Sequence, residues 1–127
     1  MKKIFPILPF ILLGTIFAAP GYAREISIQF PRGSHCGSYS GRVKVGDNFV
    51  LNLAKEQQLI IKQTTSHDYS VIAPDGRSLK VIQTFPDNEN QYWTGNRSGK
   101  FKVKVGSVPD GRPIDIQFCA YSGEGKL

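Results

Sequence analysis

Cysteine, histidine and tryptophan are scarce in this chain of 127 residues, which holds two, two and one of them. Each shortage excludes something. Neither the Cys and His spacing of a zinc site nor the acidic loop of an EF-hand is present, so no metal or other cofactor is expected. A nucleophilic serine on a Gly-x-Ser-x-Gly elbow is missing. His35 and His67 are the only imidazole bases, and both read as loop residues. No long apolar run follows residue 17. Charge blocks, low-complexity tracts and linkers are absent as well. What is there, 40% hydrophobic and 11% aromatic residues, is the composition of one folded domain, since two would each be too small for a good core.

Residues 1–23 read as a secretory signal peptide. Lys2 and Lys3 give a positive start, Ile4 to Phe17 is apolar apart from Pro6, Pro9, Gly14 and Thr15, and Gly21-Tyr22-Ala23 supplies the cleavage context. Cleavage after Ala23 would leave a mature domain from Arg24 to Leu127, periplasmic or secreted, with no stable membrane insertion. A transmembrane anchor needs about 20 apolar residues, and this run is shorter and broken by two prolines. The leader takes two lysines and no acid with it, lowering the net charge from +6 by two. An exported domain with so modest a basic excess is not expected to bind nucleic acid. Acidic proteins, anionic glycans and the envelope surface suit it better.

Export also decides what the thiols mean. Outside the cytosol, two cysteines in one small domain read as a disulfide, so Cys36 should pair with Cys119. The bridge would close most of the domain into a loop, worth about 4 to 5 kcal/mol on chain-entropy reasoning. A Cys36–His35 nucleophile pair is the competing chemistry, but sequence neighbours seldom reach hydrogen-bond geometry and a disulfide removes the thiolate.

From Glu25 onward apolar and polar residues alternate with strand periodicity. The runs are Ile26, Ile28 and Phe30; Val43 and Val45; Phe49, Leu51 and Leu53; Val71 and Ala73; Leu79 and Val81; Phe101, Val103 and Val105; and Ile114, Ile116 and Phe118. Turn chemistry separates them, including Gly46-Asp47-Asn48, Pro74-Asp75-Gly76 and Pro109-Asp110-Gly111. Lys55 to Gln58 reads as a turn inside Leu51 to Lys62. The pattern predicts a single-domain, all-β antiparallel sandwich, jelly-roll-like, of about eight strands. Ser70 to Arg77 and Ser107 to Arg112 read as two hairpins sharing one turn recipe.

On the surface, Lys100, Lys102 and Lys104 alternate with core residues along one strand, either as a solvated face that discourages edge pairing or as a stripe for an acidic partner. Tyr92 and Trp93 are adjacent, so one should face the core and the other solvent. Asn96-Arg97-Ser98 matches the glycosylation acceptor and matters only in a host that glycosylates exported proteins.

These residues resemble a known family. Phe30 to Gly41, with Tyr39-Ser40-Gly41 at its end, then a strand, a Gly-Asp turn and Phe49-Val50-Leu51, resembles the bacterial inhibitors of goose-type lysozyme. Pro74-Asp75-Gly76 and Ser98-Gly99-Lys100-Phe101-Lys102-Val103 are similar to later landmarks of that family and of bacterial pre-peptidase C-terminal domains. The resemblance spans Ile26 to Phe118. It implies a small periplasmic β-sandwich, not an enzyme, whose loops plug the cleft of a lysozyme. Carried over by position, the partner-binding residues would be Tyr39, Ser40, Gly41, Ser98, Gly99 and Lys100, with Arg112 the one cation of a short final hairpin. These segments are expected to converge on one basic edge. The alternative function is a cell-wall glycan or polyanion-binding module without inhibitory activity.

Overall fold

The computed structural model describes residues 24–63, 68–108 and 112–123; the leader, His67 and the Pro109-Asp110-Gly111 turn lie outside them. Among the described residues there are ten strands and no helix: β1 Glu25–Ser27, β2 Cys36–Gly41, β3 Asn48–Leu53, β4 Gln57–Gln63, β5 Tyr69–Ile72, β6 Ser78–Leu79, β7 Gln83–Phe85, β8 Glu89–Trp93, β9 Gly99–Val105 and β10 Ile114–Ser122. They form two five-stranded sheets, ordered β1-β3-β9-β5-β6 and β2-β10-β4-β8-β7. All pairings are antiparallel except β1 with β3.

The expected all-β sandwich is the fold observed, with ten strands in place of about eight. The surplus comes from polar strands. Cys36–Gly41 alternates serine with glycine and tyrosine, and Glu89–Trp93 opens on Glu89, Asn90 and Gln91, the last of them buried beside Tyr92, so neither carries apolar alternation. Conversely, Val43 and Val45 belong to no strand, and Val45 is exposed. Val81 is also exposed and lies past the end of β6. Two-residue alternations are too short to define an element without the neighbours that would pair with it.

Inward positions fill one core between the sheets. Phe49, Leu51, Phe101, Val103 and Val105 from the first sheet meet Leu59, Ile61, Ile114, Ile116 and Phe118 from the second. Complete burial of such side chains stabilises by about 1.5–3 kcal/mol each. Phe49 stands 5.3 Å from Phe118 across the layer, a tilted contact favoured by the ring quadrupoles. Of the adjacent aromatics, Tyr92 is the core member and Trp93 is half-buried.

The β3–β4 turn joins the two sheets at one end of the sandwich. Gly99, opposite Leu53, also lies at that end. At the other end are the start of β3, the end of β9, the end of β2 and the start of β10: Lys104 pairs with Asn48, and Ile114 with Gly41. Because β9 and β10 belong to different sheets, the segment between Val105 and Ile114 crosses the sandwich and is no hairpin. Ser70 to Arg77, by contrast, spans β5 and the turn of an antiparallel hairpin with β6. Finally, β9 is the central strand of its sheet, bonded to β3 and β5. Lys100, Lys102 and Lys104 do project from its outer face, but they guard no edge.

Candidate partner-binding site

Tyr39, Ser40 and Gly41 close the edge strand β2. Alternation turns Tyr39 and Gly41 inward and Ser40 outward. The Tyr39 ring sits 5.2 Å from Phe49 of the opposite sheet, and its hydroxyl donates to the Arg42 carbonyl at 3.1 Å. To get there the ring passes over Gly41, where a Cβ would stand 2.7 Å from Tyr39 Oη. Glycine two positions after this tyrosine is therefore a packing requirement. Ser40 donates to the carboxylate of Asp115, directly across on β10.

The chain leaves β2 through Arg42, Val43 and Lys44 and turns at Gly46-Asp47. Asp47 organises this turn from within. Its side chain is 2% exposed; Oδ2 accepts from the Lys44 amide at 2.9 Å and from Arg24 Nε at 3.1 Å, and Oδ1 accepts from the Arg24 backbone nitrogen at 3.3 Å. Burial by itself would push the Asp47 carboxyl up, but the Lys44 amide, the Arg24 nitrogen and the Arg24 guanidinium together hold it below the usual carboxylate range. Arg24 also donates through Nη2 to the Arg42 carbonyl, the same oxygen that Tyr39 reaches. Main-chain bonds between Gly46 and Val105, and between Val105 and Asp47, fix the turn to the end of β9.

Arg24, Arg42 and Lys44 thus border a depression of about 290 Å³ floored by Val43 and Asp47. Arg112, exposed two residues before β10, belongs to the same end, since Ile114 pairs with Gly41. A second hollow, about 190 Å³, is bounded by Ser38, Tyr39, Ser40, Lys62 and Asp115 on the adjoining face.

Ser98, Gly99 and Lys100 lie elsewhere. Ser98 precedes and Gly99 and Lys100 begin β9 at the β3–β4 end, with Gly99 six extended residues from Val105, or about 20 Å at the usual strand rise. Gly99, at φ +126°, packs beside Pro74, with an added Cβ 3.5 Å from Pro74 Cγ. Arg97 pairs with Asp75 at 3.1 Å. The Arg77 amide first, and then Arg97, hold the Asp75 carboxyl below its ordinary range. This Ser-Gly turn seats the β5–β6 hairpin on the β8–β9 connection. The convergence expected from the sequence does not occur: Tyr39 to Gly41 and Arg112 share one end, and Ser98 to Lys100 occupy the other.

Sequence reasoning missed Arg24, Arg42, Lys44 and the buried Asp47. Asp47 reads as an ordinary turn acid, and its partner Arg24 is 23 residues away, so no local pattern betrays the pair. The disulfide is as expected: Cys36 and Cys119 are bonded, with Cα atoms 4.0 Å apart, at directly opposed positions of β2 and β10. Among the described residues no group of three or more His, Cys, Asp or Glu is gathered closely enough to hold a metal ion.

The fold and this end define a class: a small, disulfide-closed β-sandwich presenting a basic rim built around one edge strand. Three solved structures have the same fold. The chain is similar to a mutant of PliG-Ec, a periplasmic lysozyme inhibitor of g-type lysozyme from Escherichia coli, with a TM-score of 0.59 and 14% identity over 78% of this chain and 99% of that one. It is similar also to PliG of Aeromonas hydrophila (TM-score 0.58, 18% identity, 79% and 98% covered) and of Salmonella Typhimurium (0.57, 17%, 78% and 99%), both described in the same terms. The sequence matches no protein-family profile and no curated protein sequence.

Proposed function

We propose that this protein is an exported, non-catalytic inhibitor of g-type lysozyme that acts in the periplasm by occluding the enzyme's cleft. The observation that carries the reading is the correspondence of the fold over nearly the whole length of three inhibitors of that enzyme class. The site we assign is the end formed by Tyr39 to Gly41, Lys44 and Arg112. Glycoside hydrolysis characteristically depends on a carboxyl pair in the substrate cleft, and a rim of cations is complementary to it. Charge-assisted hydrogen bonds from Lys44 and Arg112 to such carboxylates would fix the register of the complex. The tyrosine edge and the narrow end of the sandwich supply the bulk that excludes substrate. Ser98 to Lys100, at the other end, then serve the fold and not the contact.

The test is titration of the mature protein against a g-type lysozyme with cell walls as substrate, and against a c-type lysozyme as control. Stoichiometric inhibition of the first alone is expected. Sedimentation with purified sacculi, together with no inhibition at micromolar concentration, would overturn the reading in favour of a glycan-binding module.

A further inference from the structure

Arg24 is engaged at the Asp47 turn through its side chain and through both of its backbone polar groups. The guanidinium meets Asp47 Oδ2 and the Arg42 carbonyl, the Arg24 carbonyl accepts the Asn48 amide at 2.9 Å, and the backbone nitrogen faces Asp47 Oδ1 at 3.3 Å. Asp47 is buried, and the other donors on its carboxylate, the Lys44 amide and Arg24 Nε, both go to Oδ2. The leader proposed from the sequence ends at Ala23, so the nitrogen on Oδ1 is the one that signal-peptide removal would convert from an amide into an amine.

We propose that Asp47 is a built-in receptor for the N-terminal ammonium of the mature chain, and that hydrolysis of the Ala23–Arg24 bond completes the Arg42–Asp47 turn. In that step a signal peptidase adds water across the bond. The water oxygen becomes part of the Ala23 carboxylate, and the Arg24 nitrogen leaves as an amine that is protonated in neutral solution. A single amide N–H on Oδ1 is replaced by a charged group with three donors. Charge-assisted bonds are shorter and about twice as strong as neutral ones, and a buried acceptor is where the gain is least screened. The precursor lacks this ion pair, so the basic rim is fully braced only after export.

The surrounding charges are of both signs. The Arg24 guanidinium shares the same carboxylate. Arg42 and Lys44 border the depression, Glu25 follows on β1 and pairs with Lys102 of β9, Lys104 stands opposite Asn48 on β9, and Tyr39 lies beside Arg42 from β2. The cations other than the guanidinium are solvent-exposed or half-exposed, whereas the Asp47 carboxylate is buried and in contact. The α-amino group should accordingly titrate above its ordinary value of about 7.7–8.0. A group whose pKa is raised on folding contributes fully below the unfolded value, and that contribution is lost as pH rises through the folded one.

The experiment compares four proteins: the exported mature chain, a chain extended by Gly-Ser before Arg24, and Asp47→Asn with and without the extension. Mass spectrometry should place the natural N-terminus at Arg24. The α-amino pKa, followed by NMR, should lie about one pH unit or more above the ordinary value, a tenfold shift in the protonation equilibrium. The extended chain should melt lower at pH 7, with the difference gone above the folded α-amino pKa and gone in the Asp47→Asn pair. If Asp47→Asn does not fold, Arg24→Gln serves, because it keeps the amine and should keep the raised pKa. A mature N-terminus elsewhere, an α-amino group titrating at or below its ordinary value, or equal melting of mature and extended chains would each overturn the proposal. None of these readouts depends on lysozyme inhibition.

Discussion

At the scale of single residues, Gly41 and Asp47 do more than their types suggest. Gly41 is where the Tyr39 ring crosses the backbone, and an added methyl would meet Oη at 2.7 Å and Cζ at 3.0 Å. Overpacking of this kind costs about 1–3 kcal/mol. Gly41→Ala should therefore lower the melting temperature by on the order of 5 °C or more, and the effect should be less than additive with Tyr39→Phe, which removes the hydroxyl that clashes; a double-mutant cycle in urea measures both. Asp47 predicts an acid dependence. Its folded pKa is depressed, so its contribution is complete above the unfolded carboxyl value of about 3.9 and is lost as pH falls through the folded one. Urea midpoints between pH 6 and pH 2 should fall more steeply for the natural protein than for Asp47→Asn, which has no proton to bind there.

At the scale of elements, β2 is one of the two edge strands of its sheet. It pairs only with β10, and it carries both the candidate tyrosine edge and one half of the disulfide. The bridge fastens the start of β2 to β10, while the ladder from Cys36 to Gly41 holds the rest. Reduction, or Cys36→Ala with Cys119→Ala, should cost about 2–5 kcal/mol. The loss should be uneven: amide exchange should rise first in β2, before β4 and β10, which have neighbours on both sides. Uniform loss of protection would mean that the bridge acts only on the unfolded chain. The lysines of β9 lie on a central strand whose partners are already present, so their charge is available to a partner or to solvent, and Lys102 spends part of it on Glu25 at 3.2 Å.

At the scale of the whole molecule, the two ends of the sandwich are not equivalent. One carries Tyr39, Lys44, Asp47 and Arg112, and the other the Ser98-Gly99-Lys100 turn, about 20 Å away along β9. The proposed function makes these ends separable. Arg112→Ala should weaken inhibition of a g-type lysozyme at least tenfold, in line with about 2 kcal/mol or more for truncating a cation buried at a contact, and leave the melting temperature nearly unchanged. Lys100→Ala should leave inhibition unchanged. Inhibition constants for the two variants decide it, and the reverse pattern would move the contact to the β3–β4 end.

What the sequence determined by itself is whatever depends on near neighbours or on composition. Strand periodicity at Phe49 to Leu53, Phe101 to Val105 and Ile114 to Phe118 is written in alternate residues, and the core follows from it. Two cysteines leave one pairing within the chain, and it is the one observed. Tyr39-Ser40-Gly41 is likewise local, because the ring covers a residue only two positions on. The tertiary structure decided what depends on distant partners. Cys36–Gly41 is a strand because β10 offers it a ladder, not because its six residues alternate. Ser107 to Arg112 belongs to a crossing because β9 and β10 joined different sheets, a choice that no turn dipeptide encodes. Asp47 is a buried, ion-paired organiser only once Arg24 is brought beside it. And the two Ser-Gly motifs, alike in sequence, lie at opposite ends because one closes β2 and the other opens β9, two strands that run toward the same end of the sandwich.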